Sequence, residues 1–309
     1  ILYKSKFQLY MKIYDCFQFF DEEMLLDLRL NIMDKYVDKF VITEASYTHN
    51  GTPKKLNFNI NKFSDFKKKI IYFVVENEPG NLVYQKDKNN IYEKDIDMRM
   101  NSIRRIAHQR DQLMECLNEA GEEDFIFYSD NDEIPNFENL DLNSNEKNII
   151  IFKQKLFYYK FNLLCDRIDW YGTKGCKKKM LRSFSWLREV KAKKYPNYRL
   201  DLFFSNNKYR NIKIVNDGGW HFSQLKTPKD IETKLLNQEH HDEYKLARDK
   251  LPKISDLIKR KAIVYDHKAK SSDYKFSKEF KLKTIGIDYM PVFLKKNVDK
   301  YNEWFDFEK

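Results

Sequence analysis

The 309-residue sequence lacks long apolar runs and targeting segments. No stretch reaches the about eighteen consecutive apolar residues that a transmembrane helix needs, and no signal sequence is recognisable. The sequence therefore predicts neither a membrane span nor secretion, and we expect a cytoplasmic protein. A lumenal domain whose N-terminal anchor has been removed is the alternative.

Cysteine is scarce, and the four residues present do not have the spacing of zinc ligands. They are Cys16, Cys116, Cys165 and Cys176, and three of them lie in apolar stretches of the sequence. This pattern favours reduced, buried thiols over a metal site. In a lumenal chain, Cys165 and Cys176 could instead form a disulfide.

Internal repeats, low-complexity linkers and the signatures of helix-turn-helix, zinc-finger or RNA-binding modules are also missing. The 57 basic and 47 acidic residues leave a formal charge of +10, much of it in lysine triplets at 67–69 and 177–179. Such a charge attracts a nucleotide diphosphate or an anionic acceptor, and it could attract nucleic acid. Because no recognition module accompanies it, we expect no nucleic-acid partner. The oligomeric state is not indicated.

Apolar periodicity predicts strands that alternate with helices in the N-terminal half. Residues 11–17 and 37–44 have the pattern of strands, and a helical pattern at 22–33 lies between them. A second helical pattern spans 103–117, stops at Ala120 and Gly121, and precedes an apolar run from Phe125. Strands joined by crossover helices predict an α/β fold with a mostly parallel sheet.

The second half has a more irregular pattern. Residues 148–152 and 155–161 are predicted to form two neighbouring strands rich in aromatic residues. Thr227 is a predicted helix cap, with Pro228 in the first turn. We expect one domain, residues 1–309, with an α/β half (1–135), a more irregular half (136–240) and a C-terminal helical extension (241–309).

The run from Phe125 ends in three carboxylates, Asp130, Asp132 and Glu133, which follow the predicted strand. Ligands bind at this edge of open α/β sheets. Two Asp residues separated by one residue can hold a hard divalent cation, and that cation can neutralise a diphosphate. A solvated surface turn would have the same composition, so this motif alone leaves both interpretations open.

Several motifs in one order resemble glycosyltransferase family 17, which includes the enzymes that add the bisecting N-acetylglucosamine to N-glycans. The similarity covers residues 11–240, and its motifs are KIYDCFQFFDE at 12–22, VDKFVITE at 37–44, GTPK at 51–54, QRD at 109–111, SDNDEIP at 129–135, WYGTK at 170–174 and GGWHFS at 218–223. Two positions depart from the family: Asn131 replaces a small aliphatic residue, and the order of residues 238–241 is rearranged.

The resemblance implies a GT-A type fold, in which a Rossmann-like, mostly parallel sheet flanked by helices is followed by a mixed acceptor-side half and a helical C-terminal tail. Residues 1–135 would then be the nucleotide-binding half, and residues 136–240 the metal and acceptor half. It also implies a metal-dependent, inverting glycosyltransferase that uses Mn²⁺ or Mg²⁺. The donor would be a UDP-sugar, UDP-N-acetylglucosamine first, and the acceptor a glycan hydroxyl.

The same resemblance suggests where the metal and the general base lie. Asp130 and Asp132 are the candidate cation ligands, with Asp130 facing the ribose as the alternative. His221 is the candidate additional ligand, because Gly218 and Gly219 permit a close backbone approach beside it. For the base of an inverting transfer, the candidates are Asp217 first and Glu239 second. Glu133 is a further candidate, although it could instead orient the loop that follows it.

Three further residues are candidate nucleotide contacts. Arg110 and Lys174 would bind the diphosphate, and Arg110 is preferred because its guanidinium can satisfy two oxygens at once. Glu44 would bind the base or the ribose, although it could equally cap a loop.

Two other classes of protein remain open. A metal-dependent phosphoesterase or nuclease could use the same carboxylates, but a second acidic cluster for a two-metal site is missing. A non-catalytic carbohydrate-binding protein would account for the 16% of aromatic residues.

Overall fold

The computed structural model describes residues 11–84, 91–138, 140–142, 149–196, 198–237, 241–269 and 275–307. The α-helices in these ranges are α1 (Glu23–Met33), α2 (Ile91–Asp111), α3 (Phe184–Glu189), α4 (Pro228–Asn237), α5 (His241–Ala247), α6 (Ile254–Lys259) and α7 (Val292–Lys296). The strands are β1 (Ile13–Gln18), β2 (Lys39–Ala45), β3 (Ile70–Val75), β4 (Phe125–Asp130), β5 (Glu133–Pro135), β6 (Ile149–Phe152), β7 (Gln154–Tyr158), β8 (Leu163–Trp170), β9 (Lys174–Lys177), β10 (Ile212–Val215), β11 (Gly219–Ser223), β12 (Ala262–Tyr265), β13 (Phe276–Lys281) and β14 (Lys283–Thr284).

Seven strands of the described chain form the main sheet, in the order β10-β6-β9-β4-β1-β2-β3. Strands β4, β1, β2 and β3 run parallel, as do β10 and β6. Strand β9 is antiparallel to both of its neighbours, β4 and β6. The predicted α/β fold is confirmed, and the main sheet is mixed because β9 runs against the other six strands.

Alternating side chains of the central strands pack against two layers. On β1, Phe17 belongs to the apolar cluster that includes α1 and α7, whereas Tyr14 and Cys16 belong to the cluster on the other face. That second cluster also contains Leu113 and Phe184, from the segments after α2 and within α3. The period of two along the strand thus places a layer on each side of the main sheet.

A second sheet of the described residues has the order β14-β8-β7-β11-β5. The predicted neighbouring strands at 148–152 and 155–161 correspond to β6 and β7, but they lie in different sheets. The chain changes sheet at Lys153, whose N–H donates to Val215 O (2.9 Å) and whose carbonyl accepts from Gly218 N (2.8 Å). Strands β5 and β11 pair beside this junction, and they carry the next set of site residues.

The sequence predicts a helical C-terminal extension, but the extension also contains strands. It contains α5 to α7, but β12 and β13 form an antiparallel pair and β14 joins the second sheet. All four cysteines are free, and Cys165 and Cys176 lie on strands of different sheets. No helix in the described ranges has both the length and the apolar character needed to cross a bilayer.

Candidate active site

A cleft of about 450 Å³ lies where β1, β2 and β4 end. Parallel strands present their carboxyl ends at one edge of the sheet, and the segments that follow them form the walls. The lining residues are Gln18, Phe19, Phe20, Glu22, His49, Ile106, Gln109, Arg110, Asp130, Asn131, Asp132, Arg188, Lys234 and Asn237. Asp130, Asp132 and Arg110 therefore meet in one cleft.

A buried arginine holds the backbone of the acidic turn. Arg29 on α1 is fully buried and forms two hydrogen bonds to the Asp15 carboxylate, of 2.8 and 2.6 Å. Its guanidinium also donates to the carbonyls of Asp130 (3.2 Å) and Glu133 (2.8 Å) and to the Ser129 hydroxyl (2.6 Å). The shape of the turn between β4 and β5 therefore depends on Arg29, which lies outside the acidic motif at 129–135.

Asp130 is paired with Arg188 from α3, whose Nη2 lies 2.9 Å from Oδ2 of Asp130. Arg188 also binds both carboxylate oxygens of the buried Glu133, at 2.8 and 2.9 Å. Burial raises the pKa of Asp130, but the charges of Arg188 and Arg110 outweigh burial and the net shift is downward. Asp130 is thus held ionised by fixed cations.

Glu133 orients the turn rather than entering the cleft. Besides Arg188, it accepts hydrogen bonds from Trp170 Nε1 (2.6 Å) and from the N–H of Asp130 (3.0 Å). A Cβ atom at Gly172 would lie 2.3 Å from the Glu133 carboxyl carbon, so only glycine fits there. Of the two roles open to Glu133 from the sequence, these contacts favour orientation of the loop over that of a base.

Asp132 lies between a histidine and a lysine. Its Oδ1 is 3.5 Å from Nε2 of His221, and its Oδ2 is 3.4 Å from Nζ of Lys234. The same Nζ is 3.3 Å from the Glu22 carboxylate. Burial raises the pKa of Asp132, yet Lys234 and then His221 lower it well below its usual range. The carboxylate is therefore available as an anionic ligand at neutral pH.

His221 reaches this position through the pairing of β11 with β5, in which it stands opposite Glu133. Gly219 has a φ of +121°, and a Cβ there would lie 2.2 Å from the carbonyl of Ile134, so this close approach requires glycine. The buried Nδ1 of His221 has no hydrogen-bond partner within the described ranges. The ring packs 4.5 Å from Trp170, between centroids.

Arg110 lines the cleft and is oriented by Tyr128. Its Nε donates to the Tyr128 hydroxyl at 2.9 Å, and its guanidinium carbon lies 5.4 Å from the centroid of that ring. The same hydroxyl lies 3.0 Å from Oδ1 of Asp130. With Arg188 and Lys234, Arg110 gives the cleft three cationic side chains. The lining also contains three carboxylates, those of Glu22, Asp130 and Asp132, so its charges balance. A bound divalent cation would leave the positive charge that a diphosphate needs.

Two predicted nucleotide contacts have other partners. The fully buried Glu44 accepts hydrogen bonds from Lys54, from the N–H groups of Asn57 (2.7 Å) and Phe58 (3.0 Å) and from Tyr72 (2.9 Å), so it caps the loop at 54–58. This is the alternative that the sequence left open, and Glu44 does not line the cleft.

Lys174 does not line the cleft either, contrary to the expected diphosphate contact. Its Nζ donates to the carbonyls of Arg188 and Val190 (2.8 Å) at the end of α3. Burial, followed by the charge of Arg188, lowers the pKa of Lys174 to about 7. Lys174 acts on the cleft indirectly, since it holds the backbone of Arg188.

The candidate bases are not in the described part of the cleft. Asp217 has an 87% exposed side chain, lies 3.8 Å from Lys155, and borders a different depression with Trp220 and Tyr289. Trp220 borders the same depression, and its Nε1 donates to the Tyr289 carbonyl at 2.7 Å. Glu239 lies outside the described residues.

The donor atoms fit a divalent cation that shares its ligands with a bound diphosphate. Asp132 lines the cleft, and Nε2 of His221, which is not itself among the lining residues, lies 3.5 Å from Oδ1 of Asp132. Within the described ranges, no group of three His, Cys, Asp or Glu residues could hold a metal by itself. Diphosphate oxygens and water would therefore complete the shell.

Sequence reasoning missed Arg188 and Lys234. Each lies far along the chain from the acidic motif, and neither has a motif of its own. The only signal for Lys234 was its helix, since Ile231 and Leu235 are buried on α4 and Lys234 is next to that face.

Comparison with known proteins covers curated proteins, solved structures and protein families. No curated protein matches the chain significantly. A solved structure, "Crystal structure of HddC from Yersinia pseudotuberculosis", is similar at 11% identity over 67% of this chain and 90% of that chain, but its TM-score of 0.31 is too low to support an argument. The family described as "Glycosyltransferase family 17" matches residues 3–303. That match covers nearly the whole chain, which therefore belongs to glycosyltransferase family 17.

Proposed function

We propose that this glycosyltransferase binds a UDP-sugar and Mn²⁺ in the cleft and transfers the sugar, N-acetylglucosamine first among the candidates, to a glycan hydroxyl with inversion. The observation that carries the proposal is the meeting of the Asp132–His221 pair with Arg110, Arg188 and Lys234 at the carboxyl ends of parallel strands. A GT-A type fold is part of the same proposal.

The cationic side chains would bind the leaving diphosphate. Arg110 and Lys234 line the cleft, and Arg188 keeps Asp130 ionised and in place. Preorganised charges of this kind stabilise the negative charge that develops on a leaving group. When bound by Asp132 and His221, Mn²⁺ would add Lewis-acid stabilisation of the same diphosphate. Mg²⁺ is the alternative ion.

The remaining walls suit the exclusion of water and the binding of the nucleoside. Phe19 and Phe20 follow β1 and line the cleft together with His49. Burial lowers the pKa of His49 to about 4, so its ring is neutral near pH 7 and does not add to the cationic charge. Closure of the cleft over a bound donor would limit hydrolysis of the sugar nucleotide.

A carboxylate base is needed to take the proton from the acceptor hydroxyl in a single displacement. Asp217 is placed poorly for this step because it borders the other depression. Glu239 remains the proposed base, and Asn237, two residues before it, lines the cleft. The chain offers no support for a two-metal phosphoesterase within its described ranges, where a three-ligand metal cluster is missing.

The test is the thermal unfolding midpoint of the full chain with a panel of nucleotides and nucleotide sugars, with and without Mn²⁺. A ligand that binds the native state raises the midpoint. We expect a Mn²⁺-dependent rise with UDP and with UDP-N-acetylglucosamine. A rise with another UDP-sugar alone would refute the proposed donor, and no rise with any uridine nucleotide would refute the proposed function.

A further inference from the structure

A cluster of large apolar side chains projects into solvent between α3 and β10. Tyr198, Leu200, Phe203 and Phe204 are 79%, 70%, 73% and 91% exposed, and they lie within seven residues of one another. Single apolar residues on a surface need no explanation, but adjacent ones mark a site of interaction. We call these four residues the apolar tip.

The apolar tip is held outward by the structure of its own segment. Leu200–Phe204 forms a short 3-10 helix. Arg210 donates to the carbonyl of Arg199 at 2.6 Å and lies 5.3 Å from the Phe203 ring centroid. Asp201 accepts two hydrogen bonds from Arg199, of 2.6 and 2.7 Å. The polar groups of the segment thus pair with each other while the aromatic rings face solvent.

The base of the segment is fastened to the body of the protein. The N–H of Lys191 donates to the Asn207 carbonyl (2.8 Å), and Trp186 Nε1 on α3 donates to the Asn206 carbonyl (2.8 Å). These bonds join the start of the segment, near residues 186–191, to its end at residues 206–207. The segment is therefore a short anchored projection that starts beside α3, the helix that carries Arg188.

The residues around the apolar tip carry a strong excess of positive charge. Residues 191–210 contain six basic residues and one acidic residue. Lys191, Lys193 and Lys194 are exposed. Protein surfaces that bind anionic bilayers combine two features. Aromatic and aliphatic side chains enter the headgroup region, and lysine and arginine side chains surround them. A second copy of the chain would bring the same positive charge to the contact.

We propose that residues 191–210 dock the protein on the surface of an anionic lipid bilayer. The apolar tip enters the interface between headgroups and acyl chains, and the lysines contact the lipid phosphates. The segment lies on the membrane without crossing it, because three aromatic rings and a leucine insert only to the depth of the interface. This docking is independent of which sugar the cleft uses.

The test is sedimentation of the full chain with vesicles of phosphatidylcholine alone and of phosphatidylcholine mixed equally with phosphatidylglycerol. We expect binding to the mixed vesicles that weakens as salt increases, and little binding to phosphatidylcholine alone. The variant Phe203→Ser/Phe204→Ser should bind the mixed vesicles at least about tenfold more weakly. Lys193→Glu/Lys194→Glu should lose about thirtyfold or more, since each basic residue near such a surface contributes a factor of about five.

Matched variants elsewhere on the surface separate docking from general effects. Leu56→Ser/Leu246→Ser removes two exposed apolar side chains outside the segment, and Lys67→Glu/Lys68→Glu reverses two exposed lysines. The first should leave vesicle binding unchanged, and the second should reduce it much less than reversal of Lys193 and Lys194. All variants should keep the native unfolding midpoint.

Three results would overturn the proposal. The first is no sedimentation with the mixed vesicles, and the second is equal sedimentation of the native chain and Phe203→Ser/Phe204→Ser. The third is a dimer, seen by light scattering, that this double variant makes monomeric while neither protein sediments with vesicles. In that case the apolar tip is an interface between two copies of the chain.

Discussion

Nε2 of His221 lies 3.5 Å from Oδ1 of Asp132, although one residue is on β11 and the other follows β4. The contact depends on backbone pairing: the N–H of Phe222 donates to the Asp132 carbonyl at 2.8 Å, and β11 pairs with β5. The two sheets therefore meet at this pair of side chains. The site is assembled by the joining of the sheets and not by the acidic motif alone.

His221→Gln should weaken the dependence on Mn²⁺. We expect the concentration of Mn²⁺ needed for half of the UDP-induced rise in unfolding midpoint to increase at least about tenfold, because one of two protein ligands is lost. His267→Gln is the control, since His267 lies near the same Trp170 ring but bonds to the Tyr158 hydroxyl, whereas His221 contacts Asp132. Equal Mn²⁺ dependence of the native chain and His221→Gln would contradict the assignment.

Arg110→Lys should raise the Michaelis constant for the donor about tenfold or more, because the variant loses the forked hydrogen bonds to a diphosphate that we assign to the arginine. The measurement is the rate of UDP release at increasing UDP-sugar. Arg104→Lys, on the same helix, provides the comparison, since Arg104 bonds to Asn101 and lies outside the cleft lining. An unchanged constant in Arg110→Lys would show that Arg110 does not contact the donor.

Arg29→Met should lower the free energy of unfolding by about 3–5 kcal/mol, because the fully buried Asp15 would lose its partner. Urea unfolding measures the change. The double variant Asp15→Asn/Arg29→Met should recover part of it, since no uncompensated charge then remains. For Arg260→Met, which breaks an exposed pair with Glu279, we expect little change. An equally small change in Arg29→Met would contradict the role of this pair.

Lys174 should make stability increase with pH in the alkaline range. Its pKa is about 7 in the folded protein, whereas the ordinary value for lysine, taken for the unfolded chain, is 10.5. Between these two pH values the amine is protonated in the unfolded chain and neutral in the folded protein. Stability should thus rise from pH 7 to pH 10.5, by up to about 1.4 kcal/mol per pH unit. Lys174→Met should remove this rise from the urea unfolding profile. Parallel pH profiles for the two proteins would show that the lysine is not perturbed.

The elements that the sequence predicts correctly are those with a local signal. The strands around Cys16 and Val41 and the helix between them follow from apolar periodicity, and Asp130 and Asp132 follow from their place after a buried strand. Strand β9 could not be predicted in the same way, because it has four residues, two of them lysines, and no apolar pattern. Its antiparallel insertion makes the sheet mixed.

The site residues show the same division. A strand end in the sequence indicates the edge of the sheet but not the face to which a side chain points. The sequence therefore could not show that Glu44 binds a loop or that Lys174 binds the end of α3. Arg188 and Lys234 reach the cleft through tertiary packing of short helices. No periodicity or spacing in the sequence contains that information.

The most direct test of the account is calorimetric titration of UDP-N-acetylglucosamine into the full chain and into Asp132→Asn, each with Mn²⁺ and with a chelator. We predict tight binding only for the native chain with Mn²⁺, and loss of at least about tenfold in affinity when either the ion or the carboxylate is removed. The unfolding midpoint of the variant without ligand shows that it is folded. Equal affinity under all four conditions would contradict a donor and metal site at Asp132.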